Sequence, residues 1–333
     1  MAKIFAAVRL VAGALALAFV VATAMPAAAQ QPNSVNPTAA AVKEQQLLQQ
    51  LQMIEGRGSI PDVKSYVLEH PAGRDWREFH TVTLKWIGGI AILGILAILI
   101  IYYMWRGTIR IEHGRSGRTI LRFSAFERFV HWLTAVTFVI LGITGLNITF
   151  GRSLILPWLG ASAFSGWSEW AKFSHNYIGF AFTIGVVLMF LIWIANNLPT
   201  RADLEWFKGG GGMFGGHEPP AYKFNGGEKF IFWLSMIGGA LIIASGFVLL
   251  FPFYGTTVSG MELAQIVHSV VAVLYVAAML THIYMGTIGV EGAFEAMADG
   301  TVDANWAKER HSLWYEEEMQ GGVARGQAMR PAE

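Results

Sequence analysis

Long apolar runs alternate along the chain with short intervals that carry its charges, and the runs have the length of bilayer crossings. Five of them, at 83–104, 125–148, 175–196, 229–251 and 263–286, come close to the roughly 20 residues an α-helix needs to cross a hydrocarbon core. The pattern predicts five transmembrane helices. Ahead of them, Lys3 and Arg9 precede an apolar run from Leu10 to Ala24, and Ala27-Ala28-Ala29 supplies small residues for cleavage. Residues 1–29 therefore read as a secretory signal peptide, an uncleaved anchor helix being the alternative. Residues 30–82 are polar, with an amphipathic pattern from Val42 to Ile54 and then Gly- and Pro-punctuated sequence. Too short and polar to bury a large core, this exported segment is expected to pack on a partner or on the outer helix ends.

Composition and charge sharpen that picture. Of 333 residues, 54% are hydrophobic and only 14% charged, as expected of an integral membrane protein. The net charge of +1 gives no reason to expect nucleic-acid binding. How the charges are distributed matters more. Arg106, Arg110, Arg115, Arg118 and Arg122 separate the first two runs, and Arg201, Lys208, Lys223 and Lys229 separate the third and fourth, whereas the opposite intervals hold Arg152 and Lys172. The positive-inside rule then places the N-terminal segment outside and the tail, residues 290–333, in the cytoplasm. Cysteine is absent. Disulfides, Cys-ligated iron–sulfur clusters and thiol catalysis within this chain are thereby excluded.

The last run, LAQIVHSVVAVLYVAAMLTHIYMG, carries His268 and His282 inside an apolar helix. Fourteen residues apart, they lie about 21 Å apart along the axis and within about 40° of one face. Ionisable residues inside a span mark a functional site by default, and two imidazoles at two depths suit bis-imidazole ligation of two stacked haems. Partners at matching depth are His175 for His268, on the outer side, and His131 for His282, on the cytoplasmic side. Gly142 and Gly145 lie 11 and 14 residues after His131, on its face, where a macrocycle would need close approach, although small residues also serve ordinary helix packing. His70, His80, His113, His217 and His311 fall in loops or tails and are expected to be solvated. Arg128 offers a partner for a haem propionate. Trp132, Trp193, Trp233, Tyr177 and Tyr284 read as belt or packing residues. In AYKFNGGEKF, Asn225 with Gly226 and Gly227 offers an amide and backbone N–H groups of the kind a quinone carbonyl needs, or simply a turn into a helix.

The motifs RFVHW around His131, KFSHNYIG around His175, YKFNGGEK around Asn225, QIVHS and LTHIYMG on the last run, and DANWAKERHSLWY in the tail resemble the b-type cytochrome (gamma) subunit of membrane-bound respiratory formate dehydrogenase. The likeness covers about two thirds of the chain. It implies an all-α membrane protein, in which residues 105–289 form a four-helix diheme cytochrome b bundle preceded by one additional transmembrane helix, 83–104. It also implies two haem b groups on His131, His175, His268 and His282, and a quinone site formed by Asn225, Gly227 and the surroundings of His282. The expected partners are an iron–sulfur subunit and a molybdenum- or tungsten-pterin catalytic subunit, with membrane lipid around the bundle and no nucleic acid. Such a chain transfers electrons and reduces quinone but does not itself oxidise formate. The signal peptide and extra span depart from the shorter members. Two other readings stay open: the cytochrome subunit of a nickel–iron hydrogenase or other exported oxidoreductase, and a haem-free membrane anchor or transporter.

Overall fold

A computed structural model describes residues 71–214, 218–252, 254–325 and 330–331. The signal peptide, the amphipathic pattern at 42–54, His70 and His217 lie outside the described residues. Five helices among the described residues are long and apolar enough to cross a membrane, at Gly73–Arg106, Ala125–Leu154, Leu156–Asn197, Gly226–Leu250 and Val258–Gly289. This is a multi-pass membrane protein built of helices.

The first rod is composite. Helix α1 (Pro71–Glu78) passes through a π-turn, Phe79–Thr83, into α2 (Leu84–Arg106), so the helix starts well before the apolar run does. Helix α3 (Ala125–Leu154) opens on a capping box in which the Ser124 side chain accepts from the Glu127 N–H and Glu127 reaches back to the Ser124 N–H. The next element corrects a sequence expectation: α4 runs Leu156–Trp193, and the interval read as a loop before residue 175 is helical. Gly160, at φ 73°, is the break that lets the chain turn back beside α3, a conformation only glycine adopts cheaply. Past that break, tryptophans, serines and Gly166 in 161–174 lower the apolar signal without interrupting the helix, so His175 sits inside α4 and not at its start. After the short α5 (Arg201–Lys208) come α6 (Gly226–Leu250) and α7 (Val258–Tyr284), whose N-caps are Asn225 and Thr257. Helix α3 packs mainly along α4, while α7 lies between α6 and α2.

At one end of the bundle the polar segments form a folded cap. Strand β1 (Arg118–Leu121) pairs antiparallel with β2 (Thr301–Asp303), Ile120 facing Val302, and on its other edge with β3 (Arg330–Pro331). Helices α8 (Ala293–Ala298), α9 (Ala304–Arg310) and α10 (Ser312–Arg325) complete it. Acidic side chains gather the loop N–H groups: Asp303 accepts from Ser116 and Gly117, and Glu309 from Glu112 and His113. Arg310 Nη1 meets Glu218 at 2.7 Å with both side chains buried. Phe123, Phe224, Trp306 and Trp314 join the helix interior in one continuous core. The C-terminal stretch is thus a lid on the bundle end that carries residues 107–124.

His311 departs from the surface role expected of it. Only 1% exposed, it directs Nδ1 to the Tyr222 carbonyl at 2.7 Å and Nε2 to Arg122 Nη2 at 3.1 Å. The carbonyl requires Nδ1–H and the guanidinium requires an accepting Nε2, so the ring is held neutral. Burial first, and then Arg122, push its pKa down to about 3. Unfolded, the ring would take a proton near pH 6.5. The native state therefore binds fewer protons between those values, and stability falls as pH drops through that window by up to about 1.4 kcal/mol per pH unit. Melting of the purified protein, followed by tryptophan fluorescence, should shift downward between pH 7 and pH 5. In His311→Gln that slope should flatten; equal slopes in the two proteins would contradict the assignment.

Candidate functional site

Three helices bring four histidines into two facing pairs. On the cap side, His131 of α3 and His282 of α7 have ring centroids 6.2 Å apart and inclined by 60°. Toward the far end, His175 of α4 and His268 of α7 have centroids 6.1 Å apart at 71°. The partners are those expected from depth, and α7 supplies one member of each pair. An imidazole nitrogen binds a metal at about 2.0–2.1 Å and sits about 1.1 Å from its own ring centre, so one ion held linearly between two rings sets their centroids about 6.3 Å apart. Both pairs fit that separation. Among the described residues no group of three or more His, Cys, Asp or Glu is placed to hold a metal ion, so a metal at either of these positions would be held by the two imidazoles of a pair.

The far-end pair is tautomerically prepared. Thr144 Oγ donates its proton to the Ile140 carbonyl at 2.8 Å and so accepts from His175 Nδ1 at 2.9 Å. His268 Nδ1 donates to the Ile242 carbonyl at 3.0 Å, with Ser245 Oγ 3.1 Å away. Both Nε2 lone pairs are left for an electrophile, the usual reason for holding the other ring nitrogen of a metal-binding histidine. These rings stand in a cavity of about 770 Å³ whose walls are mostly aliphatic and aromatic. Glycines bring the backbone close: a Cβ at Gly145 would lie 3.3 Å from His175 Cε1, and one at Gly246 3.2 Å from His268 Cε1. Gly142 also lines the cavity, but a Cβ there would make only an ordinary 3.7 Å contact with Val276. At the other pair, His131 Nδ1 is buried without a hydrogen-bond partner, with Trp132 and Trp193 against its ring.

Asn225 and Gly227 lie at the cap-side start of α6. Asn225 Oδ1 accepts from the Glu228 N–H at 2.9 Å, and Glu228 Oε2 accepts from the Asn225 N–H at 3.0 Å. Gly226 and Gly227 make room for Trp206: a Cβ on Gly227 would come within 2.7 Å of that indole. Arg128 donates Nη1 to the Ala298 carbonyl at 2.7 Å, and Trp132 Nε1 donates to the Met297 carbonyl at 2.9 Å, so both fasten the cap to α3. Three features escaped the sequence reading: the hydroxyls of Thr144 and Ser245, the glycine at 246, and a cluster of the buried Arg122 and His311 with the part-exposed Glu228. Hydroxyl and glycine residues inside apolar runs at histidine depth were the available signal for the first two.

The model of the prokaryotic cytochrome b561 family matches residues 122–300, more than half of the chain and all four histidines. Similar proteins include the formate dehydrogenase cytochrome b556(fdo) subunit of Escherichia coli K12, 30% identical over 202 residues that make up 60% of this chain and 93% of the relative. The nitrate-inducible cytochrome b556(Fdn) subunit of the same strain is 24% identical over 207 residues, 61% of this chain and 93% of that one. The formate dehydrogenase cytochrome b556 subunit of Haemophilus influenzae is 25% identical over 205 residues, 60% and 84% of the two chains. The chain therefore belongs to the prokaryotic cytochrome b561 family, and the relatives it resembles are cytochrome b556 subunits of formate dehydrogenases.

Proposed function

We propose that this chain holds two haem b groups, one between His131 and His282 and one between His175 and His268, and serves as the membrane electron carrier of a formate dehydrogenase complex. The observation that carries this reading is the twin imidazole pairs at centroid distances of 6.2 and 6.1 Å. Haem supplies one-electron transfer, and two imidazoles on each iron leave no open position for oxygen or substrate. The chain's own residues do the rest. Thr144 and the Ile242 carbonyl orient the rings of the far-end pair, Gly145 and Gly246 open space beside them, and the apolar walls exclude water. Helix α7 forms a wall common to both sites, its two histidines about 21 Å apart along the axis.

Orientation follows from the arginine-rich interval. With residues 107–124 and the C-terminal cap in the cytoplasm of a bacterial inner membrane, His175 and His268 face the outer side. Electrons would enter there from an exported iron–sulfur subunit served by a molybdenum- or tungsten-pterin catalytic subunit. They would leave near His282, where Asn225 and Gly227 border the site of a membrane quinone. Asn225 Oδ1 is committed to the helix cap, so its amide nitrogen is the group left to donate to a quinone carbonyl.

Purification with its partners tests the reading directly. The reduced-minus-oxidised spectrum should show two low-spin b-type haems per chain, reduced by formate and reoxidised by a quinone analogue. A protein without a Soret band would end it, and reduction by hydrogen but not by formate would move the chain to a hydrogenase.

A further inference from the structure

The family match begins at residue 122, so α1 and α2 lie ahead of it. Helix α1 and the π-turn that follows it nevertheless help to line the far-end cavity. Helix α1 packs against α7, and Lys85 Nζ donates to Ser153 Oγ at 2.8 Å, tying the start of α2 to the end of α3. Trp76 and His80, whose rings lie 5.1 Å apart, line the same cavity as His175 and His268. Lys172, one helical turn before His175 on α4, also lines the wall, and among the described lining residues it is the one with a formal charge.

The wall suits the ring of a haem but not its rim, because a haem carries two carboxylates that must reach water or hydrogen-bond donors. Lys172 and His80 supply such donors on two different helices. We propose that the added helix completes this haem site, with Lys172 and His80 directed at the haem carboxylates and Trp76 closing over the haem edge. The proposal rests on the reading of His175 and His268 as ligands. Its consequence is electrostatic. Reduction adds negative charge to the haem, which a cation and N–H donors favour, and exclusion of water disfavours the more charged ferric form. Losing any of these groups should lower the potential of this haem alone.

The test is a spectroscopic redox titration of the full chain in its complex, resolving the two haems. Lys172→Met, His80→Leu and Trp76→Ala should each keep two haems and shift one midpoint downward, further in the Lys172→Met/His80→Leu double variant. Lys172→Arg, which retains the charge, should stay at the wild-type value. The shifted haem should be the one that survives in His131→Ala. Unmoved midpoints in all three single variants, or a shift confined to the haem that survives in His268→Ala, would overturn the proposal. A wild-type chain with fewer than two haems would instead overturn the ligand reading beneath it.

Discussion

Replacing His268 with alanine is expected to halve the haem content of the chain, and His175→Ala should leave the same single haem behind. His131→Ala and His282→Ala should each remove the other one, giving a second, complementary spectrum. The reasoning starts from geometry. Each pair has room for one iron between its two rings, so deleting either ring leaves a single axial ligand in a space shaped for two. Alanine is the strongest helix former, so α7 should remain a helix through either substitution. The pairs stand about 21 Å apart along α7 and share no hydrogen-bond partner, so the losses should add, and His268→Ala/His282→Ala should hold no haem at all. Pyridine haemochrome assay against protein mass measures the ratio. If His268→Ala left the same haem as His131→Ala, the pairing would be wrong; if any single variant kept both, that histidine would not be a ligand.

Much of this site could be read from the chain because its information is local or repeats along one helix. Apolar run length sets the five spans, and two histidines fourteen residues apart on one run mark two candidate sites at two depths before any partner is known. The structure adds two helix caps whose partners are only three residues apart, Ser124 with Glu127 and Asn225 with Glu228. Features that depend on distant partners were hidden. Ile120 meets Val302 across the whole bundle sequence, in strands of four and three residues that carry almost no periodic signal. His311 looked like one more polar tail residue because the groups that bury it, Arg122 and Tyr222, are 189 and 89 residues away. His80 seemed a loop residue because the π-turn and α1 extend the first helix past its apolar run. Long-range pairing turned a presumed tail into a cap.

That cap hangs on Arg122, and Arg122→Ala is expected to destabilise it by about 1–3 kcal/mol, less than the cost of breaking a fully buried ion pair because the Glu228 side chain is 35% exposed and water can solvate its carboxylate. The guanidinium side chain is 3% exposed. Its Nη2 lies 2.9 Å from both Glu228 carboxylate oxygens, 2.7 Å from the Lys223 carbonyl and 3.1 Å from His311 Nε2. Its plane sits about the rings of Phe123 and Trp306, each 5.0 Å from Cζ. Truncation leaves Glu228 without its cation, deprives His311 of a donor and opens a void between two aromatic rings. Arg122→Lys should recover part of the loss, because an ammonium keeps the charge but not the flat fork that stacks on rings. Limited proteolysis of the C-terminal segment should accelerate in Arg122→Ala, to a smaller extent in Arg122→Lys, while the haem proposed between His175 and His268 stays in place. Glu228 also closes the capping box with Asn225, so loosening should reach the proposed quinone site and raise KM for quinone before it changes haem content. Equal cleavage rates in wild type and Arg122→Ala would show that the cap is held by its aromatic packing and strand pairing, with the buried cation dispensable.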